Sequence, residues 1–160
     1  MELLQSELRR VIGNTKCVEI SDLPNLPYLS AVVKETMRMH PVVPLLVPHK
    51  LTHSCELLGY EILAGTQVYV NVWAISHDPS VWENPLLFCP ERFLDSKLPN
   101  EHGVNWNFLP FGSGRRSCPG STLAIMNVEL ILASLLHSFE WKACGEPKLN
   151  ESFGIIVHMD

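Results

Sequence analysis

A ten-residue stretch from Phe111 to Gly120, Phe-Gly-Ser-Gly-Arg-Arg-Ser-Cys-Pro-Gly, constrains this chain more than any other feature. Two arginines come just before Cys118, and an apolar run from 121 to 139 follows it. Nearby cations and the N-terminal end of a helix both favour the thiolate form of a cysteine. Glycines carry no Cβ and accept positive φ, so a flat ligand can approach the backbone closely. The stretch therefore predicts a thiolate presented to a planar ligand, and the alternative is a buried free cysteine in a structural turn.

This stretch resembles the haem-binding signature of the cytochromes P450, Phe-x-x-Gly-x-Arg-x-Cys-x-Gly, in which a cysteine thiolate ligates the haem iron. The fixed positions are all filled, by Phe111, Gly114, Arg116, Cys118 and Gly120. The resemblance implies that Cys118 is the proximal ligand of the iron of haem b and that Phe111 packs beside the sulfur. It also implies that Arg116 neutralises a haem propionate and that Gly112 and Gly120 belong to the cofactor-binding loop.

A second segment, from Lys34 to Pro41, resembles the Glu-x-x-Arg helix of the same family, together with the His-Pro that follows it. Glu35 and Arg38 are three positions apart on a predicted helix over 28–39, so their side chains share a face. That face lies away from the apolar stripe, so periodicity alone favours an exposed ion pair of small energy. The resemblance implies instead a buried pair, joined by a later arginine, that fixes the loop behind the haem.

The tetrapeptide from Pro90 to Phe93 matches the Pro-Glu-Arg-Phe motif of the same family. By this resemblance Arg92 completes a structural triad with Glu35 and Arg38, and these residues are scaffold rather than chemistry. One carboxylate can accept from two guanidinium groups and so hold two distant segments together. Taken alone, the tetrapeptide is typical of an ordinary loop.

An extended apolar segment from 42 to 48 follows the predicted second helix, because Pro41 ends the helix and further prolines break the segment. The resemblance implies that this segment runs along the substrate cavity and that a cation after it contacts a haem propionate. His49 occupies that position. From the residue alone, a surface histidine or a satisfied core histidine is the alternative.

Composition limits the class of protein. The length of 160 residues suggests one domain with a real core, and 46% hydrophobic with 18% charged residues indicates a globular chain. The net charge of −5 gives no reason to expect nucleic-acid binding. Five widely spread cysteines, with no Cys-x-x-Cys pair, indicate free thiols in a reducing compartment and no structural zinc. We find no signal peptide and no run long enough to span a bilayer.

Periodicity predicts three main helices, over 2–12, 28–39 and 121–139. The last of them is apolar on nearly every face, which is typical of a buried helix. Asp78 and Pro79 predict a short helix that runs through Trp82, with the aspartate as its cap.

Strand signals are weaker. A run from 55 to 62, a turn at Ala64 and Gly65 and a run from 67 to 72 together predict one hairpin. Residues 94–107 indicate a polar surface meander, and residues 153–158 indicate a final strand. The predicted fold class is mainly α with small β-sheets (α+β). The resemblance implies that 1–160 form the C-terminal part of a single P450 domain, the C-terminal third of its fold.

The resemblance implies a haem-thiolate monooxygenase, an oxidoreductase that inserts one atom of dioxygen into a small apolar substrate. Electrons would come from NADPH-cytochrome P450 reductase. The segments 70–75 and 133–139 are similar to those of plant microsomal members, in particular the geraniol-type monoterpenoid hydroxylases, which implies a terpenoid-like substrate. The same resemblance implies the cytosolic face of the endoplasmic reticulum membrane, through an N-terminal anchor absent from this chain.

Two alternatives stay open. The chain begins inside a predicted helix and contains no oxygen-activating helix, so the first is a truncated, catalytically inactive gene product. The second is haem-thiolate isomerase or lyase chemistry without dioxygen, as in family members that rearrange hydroperoxides. That class is expected to carry an altered cysteine loop, and the loop here is intact.

Overall fold

The computed structural model describes residues 1–14, 16–94, 105–142, 145, 151–152, 156 and 158–159. Helices dominate these residues: α1 (Glu2–Ile12), α2 (Pro27–Met39), α3 (Val72–Ser76) and α4 (Ser121–Ser138). Short 3-10 helices lie at Ile20–Asn25, Pro90–Phe93 and Gly114–Arg116. The sheets that the described residues form have two strands each. The predicted class, mainly α with small β-sheets, is confirmed.

The hydrophobic core lies where α1, α2 and α4 meet the 3-10 helix at Ile20–Asn25. Its centre consists of four side chains with no exposed surface, Leu8, Leu26, Leu29 and Ala133. The ends of α1 and α4 are also tied together, because His137 Nε2 lies 2.7 Å from the carbonyl oxygen of Gly13. The three predicted main helices are therefore present and pack on one another.

The predicted single hairpin is wrong. β2 (Cys55–Leu57) and β3 (Tyr60–Ile62) form a hairpin within the first predicted strand. Leu58 and Gly59 turn the chain there with φ of 51° and 82°, the left-handed geometry that a two-residue hairpin turn needs. A run of strand-forming residues does not show by itself where the chain reverses.

The other strand pairs are also antiparallel. β4 (Gln67–Val68) pairs with β1 (His49–Lys50), and β5 (Glu151–Ser152) pairs with β6 (His158–Met159). Of the predicted final strand, residues 153–155 and 157 lie outside the described residues. So do 95–104 of the predicted meander and Cys144. The four cysteines within the described residues are free thiols.

Residues 70–82 differ from the prediction in two places. The predicted strand ends early because Asn71 caps α3, with its Oδ1 accepting from the Ala74 N–H at 2.9 Å. The short helix predicted after Asp78 is wrong, and residues 78–82 form turns and a bend. Asp78 Oδ1 accepts there from the backbone N–H and the hydroxyl of Ser80, at 2.9 and 2.7 Å. Asparagine and aspartate cap helices and turns by the same hydrogen bonds, so their presence alone does not distinguish the two.

α4 is covered on one side only, whereas the sequence predicted a buried helix. Its buried residues are Glu129, Ala133 and Leu136, while Leu123 and Ile131 are 62% and 59% exposed. Among the described residues there is one helix, α4, whose length and apolar composition would allow it to cross a bilayer, with a mean hydropathy of 1.4. The prediction that no run reaches this length is therefore wrong, although a core helix of a soluble protein can have the same composition.

A buried carboxylate from α1 caps the N-terminus of α2. Leu26, the residue before α2, has no side-chain acceptor for the unpaired N–H groups of the first turn. Glu7 is 8% exposed, and its two oxygens accept from the N–H groups of Tyr28 and Leu29 at 2.9 Å each. Because this acceptor comes from a different helix, no local capping signal in the sequence predicts it.

We expect Glu7→Ala to lower the free energy of unfolding by about 1–3 kcal/mol, because it leaves buried N–H groups without an acceptor. Glu7→Gln keeps one acceptor oxygen and is expected to lose less. Urea unfolding followed by circular dichroism measures both variants. The control is Glu2→Ala, at an exposed position of the same helix, which is expected to change little. Equal losses for Glu2→Ala and Glu7→Ala would contradict the capping role.

Candidate functional site

A buried ion cluster lies between α2 and the 3-10 helix at Pro90–Phe93. Glu35 and Arg38 are both 0% exposed. Arg38 binds the carboxylate through two nitrogens, with Nε 2.7 Å from Oε2 and Nη2 2.9 Å from Oε1. Arg92 Nε donates to Glu35 Oε1 at 3.2 Å, and the Cys89 N–H donates to the same oxygen at 2.9 Å. One carboxylate therefore joins α2 to a segment far along the chain.

The exposed ion pair that periodicity favours is wrong, because other segments cover this second face of α2. Arg38 Nη1 donates to the carbonyl oxygen of Ser76, the last residue of α3, at 2.7 Å. Arg92 Nη1 donates to the carbonyl oxygen of Glu83 at 3.1 Å. The apolar stripe of a helix identifies one buried face, and it carries no information about a second face that is buried through polar contacts.

Trp82 is a member of the cluster that the sequence analysis missed. Its side chain is 2% exposed, and its Nε1 donates to the carbonyl oxygen of Ile75 at 3.1 Å. The Cζ atoms of Arg38 and Arg92 lie 5.3 and 5.9 Å from the centroid of its ring. Both distances are within the range of a cation–π contact. The only sequence signal for Trp82 was the size of its aromatic side chain, because globular proteins usually bury such side chains.

Glu91 forms a second, more exposed link between the same segments. Its carboxylate accepts from the hydroxyl of Tyr28 at 3.1 Å and from the thiol of Cys89 at 3.3 Å. The pKa of Glu91 is held below its usual value, first because its own backbone N–H donates to the carboxylate, and then because Cys89, Tyr28 and Arg92 outweigh partial burial. Burial raises the pKa of the Tyr28 hydroxyl, and Glu91 raises it further. A charged Glu91 therefore accepts from a neutral Tyr28 at neutral pH.

The backbone of the loop from Phe111 to Gly120 is held by its own hydrogen bonds. The Cys118 N–H donates to the carbonyl oxygen of Phe111 at 3.0 Å, across the 3-10 helix. Gly112 and Gly114 have φ of 69° and 71°, a region that glycine enters without steric cost. Gly112 and Gly114 therefore have a conformational reason, independent of any ligand.

The side chain of Cys118 is exposed at the start of α4. The helix begins at Ser121, so the positive end of its dipole lies next to the sulfur. Arg115 and Arg116, which precede the cysteine, are exposed as well. A Cβ added to Gly120 would lie 3.9 Å from Cys118 Sγ, so glycine keeps the space beside the sulfur open. The alternative of a buried cysteine in a structural turn is wrong for this residue, because Cys118 is a free cysteine with an exposed side chain.

His49 is exposed in β1, opposite Val68, and no hydrogen bond or ion pair joins it to the described part of the loop. The apolar segment before it does reach the loop, because Leu46 Cδ1 lies 3.6 Å from where a Cβ of Gly112 would be. Leu46 has a φ of 52°, which is uncommon for a residue of its size.

The described residues thus combine a mainly helical fold, a buried carboxylate–arginine cluster and an exposed cysteine before a long helix. These are the features that the P450-like motifs of the sequence imply. The family model for Cytochrome P450 matches residues 1–159. The chain therefore belongs to the cytochrome P450 family, and the resemblance of its motifs to that family is confirmed.

Similar proteins include Cytochrome P450 76C4 of Arabidopsis thaliana, 50% identical over 96% of this chain and 31% of that protein. Geraniol 8-hydroxylase of Catharanthus roseus is 49% identical over 98% of this chain and 33% of its own length. A solved zebrafish cytochrome P450 structure with progesterone has a TM-score of 0.88 and 39% identity, over 99% of this chain and 35% of that one. The chain thus spans about a third of the length of these relatives.

We expect Glu35→Gln to lower the free energy of unfolding by about 3–5 kcal/mol, because Arg38 and Arg92 become uncompensated cations. The amide has nearly the shape of the carboxylate, so the loss reports the charge together with one acceptor oxygen. Denaturant unfolding measures it, with Glu61→Gln on the exposed strand β3 as the control for the same chemical change. If the two variants unfold alike, the cluster carries no stability through its charge.

Proposed function

We propose that residues 1–160 are the C-terminal part of a single cytochrome P450 domain, and that the whole protein is a haem-thiolate monooxygenase. The observation that carries the proposal is the exposed thiol of Cys118, held in a glycine-containing loop at the start of α4. Relatives named as hydroxylases support the reaction class: geraniol 8-hydroxylase, and flavonoid 3′,5′-hydroxylase of Campanula medium at 47% identity. These names favour oxygenation over isomerase or lyase chemistry.

The residues of the loop fit haem b. Cys118 is accessible to an iron ion as its proximal ligand, and Gly112 and Gly120 leave space that a larger residue would narrow. Phe111, which is half-buried, would pack beside the sulfur. The exposed guanidinium of Arg116 has the charge and the reach to neutralise a propionate.

His49 would meet a second propionate. The support for this role is its position at the end of the apolar segment whose Leu46 lies against Gly112 of the loop.

When bound, the haem supplies the activation of dioxygen, and electron donation from a thiolate ligand favours O–O cleavage. The chain's own residues present that ligand. The hydrogen bond from the Cys118 N–H to Phe111 holds the cysteine backbone just before the start of α4. The buried cluster around Glu35 supports the loop from behind and takes no part in the chemistry.

The proposed substrate is a small apolar molecule, and the geraniol 8-hydroxylase relatives support a terpenoid alcohol. The proposed electron donor is NADPH-cytochrome P450 reductase. By the same kinship, the proposed location is the cytosolic face of the endoplasmic reticulum membrane. The net charge of −5 disfavours binding to the phosphate backbone of a nucleic acid.

Cys118→Ser is expected to abolish the thiolate signature, because a hydroxyl is a poor iron ligand and lacks the electron donation of sulfur. A chimera in which residues 1–160 replace the matching third of Catharanthus roseus geraniol 8-hydroxylase supplies a complete domain. The measurement is the reduced carbon-monoxide spectrum, with Cys55→Ser in the exposed strand β2 as the control. A thiolate Soret band that survives Cys118→Ser would mean that another cysteine is the ligand.

The 160-residue chain alone is expected to show no turnover. The loop offers a ligand to one face of a haem only, and the exposed face of α4 leaves apolar surface open to water. An unshielded cofactor does not control the delivery of protons. The test is incubation of the chain with haem, reductase, NADPH and geraniol, against a control with haem alone. Turnover above this control would contradict the expectation.

The chimera also separates the two readings of the whole protein. If residues 1–160 are competent, the chimera hydroxylates geraniol in the presence of reductase and NADPH. A chimera that folds and binds haem but gives no product would support the alternative of a catalytically inactive gene product.

A further inference from the structure

We propose that three aromatic side chains, Trp82, Phe93 and Phe108, form a bridge that couples the buried ion cluster to the cysteine loop and orders the loop before any cofactor binds. We call them the aromatic bridge. The importance of a preordered loop for haem binding rests on the proposed function, whereas the order of the loop itself does not. Phe93 and Phe108 are positioning residues here, since they act through the loop backbone.

The three rings are in direct contact. The ring centroids of Trp82 and Phe93 are 5.8 Å apart with an interplanar angle of 44°. Those of Phe93 and Phe108 are 5.0 Å apart with an angle of 60°. Tilted pairs at these separations are among the favourable aromatic geometries. The contacts form a continuous line of rings.

The first end of the bridge is fixed by the ion cluster. Trp82 is almost completely buried and faces the guanidinium groups of Arg38 and Arg92. Its Nε1 hydrogen bond to Ile75 prevents rotation of the ring in its plane. Phe93 follows Arg92 directly, so the hydrogen bond from Arg92 to Glu35 also limits where the Phe93 backbone lies.

The other end of the bridge leads into the cysteine loop. Leu109, next to Phe108, is buried, and its carbonyl oxygen accepts from the Gly112 N–H at 3.1 Å. The carbonyl oxygen of Phe111 accepts from the Cys118 N–H at 3.0 Å. A chain of short contacts therefore runs from Phe108 to the backbone of the cysteine.

The Phe93–Phe108 contact closes the segment 94–107, which lies between the cluster and the loop in sequence. The contact joins Phe93 and Phe108, the residues on either side of that stretch. Closing a loop removes conformational freedom from both ends, so the contact limits how far the start of the cysteine loop can move. The ion cluster and the aromatic bridge thus act in series on the loop.

Amide hydrogen exchange of the 160-residue chain, without haem, tests this. Phe93→Leu and Phe108→Leu are each expected to speed exchange of the loop amides Gly112, Ser117 and Cys118 about tenfold, because an aromatic contact contributes about that factor to a local opening equilibrium. The amides of α2 are the internal reference and are expected to keep their rates. Phe139→Leu, which removes the exposed aromatic pair with Trp141, is the matched control.

Loop exchange that stays at the parent rate in both variants would overturn the proposal. An equal increase in the loop and in α2 would also overturn it, since that result shows general destabilisation. Phe93→Tyr and Phe108→Tyr keep the ring contact and are expected to restore the slow exchange, and a failure of both to do so contradicts the ring contact as the cause.

The haem-dependent arm is separate. In the geraniol 8-hydroxylase chimera, the leucine variants are expected to lower the share of the thiolate form in the reduced carbon-monoxide spectrum. An unchanged share in a chimera whose parent shows that form would overturn the effect on the ligand. A parent without the thiolate form would instead count against the proposed function, and the exchange rates measured without haem would still decide whether the bridge orders the loop.

Discussion

The structure depends on the carboxylate of Glu35, which accepts hydrogen bonds from Arg38, Arg92 and the amide of Cys89 inside the protein. A charge removed from water is stable only where other groups replace the water. Two guanidinium groups bring more positive charge than one carboxylate neutralises. Backbone carbonyl oxygens accept hydrogen bonds from the remaining N–H groups of the two arginines. The face of the Trp82 ring lies against their guanidinium groups and stabilises the excess positive charge. The cluster is therefore complete only when α2, α3 and the Pro90–Phe93 helix are all in place.

α2 connects this cluster to the rest of the core, and two buried carboxylates fix it: one reaches α2 from another helix, and the other reaches from α2 to later segments. Glu7 comes from α1 and accepts hydrogen bonds from unpaired N–H groups of α2, whereas Glu35 belongs to α2 and accepts hydrogen bonds from later segments. The helix is thus fixed at its start and near its end by charges that lie in the protein interior. The cysteine loop, in contrast, is exposed, with ordered backbone and accessible sulfur. A rigid interior behind an accessible ligand is what preorganised binding of a cofactor requires.

The motifs identified residues of the candidate site, but they did not predict the contacts that hold these residues in place. Cys118 and its glycines were identified from ten consecutive residues, and the structure shows the positive φ values and the helix start that this pattern demands. Trp82 and Glu7 were missed, because each acts on residues that are distant along the chain and neither belongs to a local pattern. The strand pairing was also missed, since Leu58 and Gly59 reverse the chain within an apparently continuous strand.

What the sequence by itself determined is local: the bounds of α1, α2 and α4 to within one residue, and the glycines of the cysteine loop that adopt positive φ. Helical hydrogen bonds, caps and glycine turns join residues a few positions apart, so the information lies within a short window. Periodicity did not predict that the helix face with Glu35 and Arg38 is buried, and among the sequence signals only the resemblance to the P450 motifs implied it. Only the tertiary structure decided that one face of α4 stays open. Burial is a property of what packs against a surface. Those packing partners are segments far along the chain, and the hydrophobic periodicity of one helix does not show where they lie.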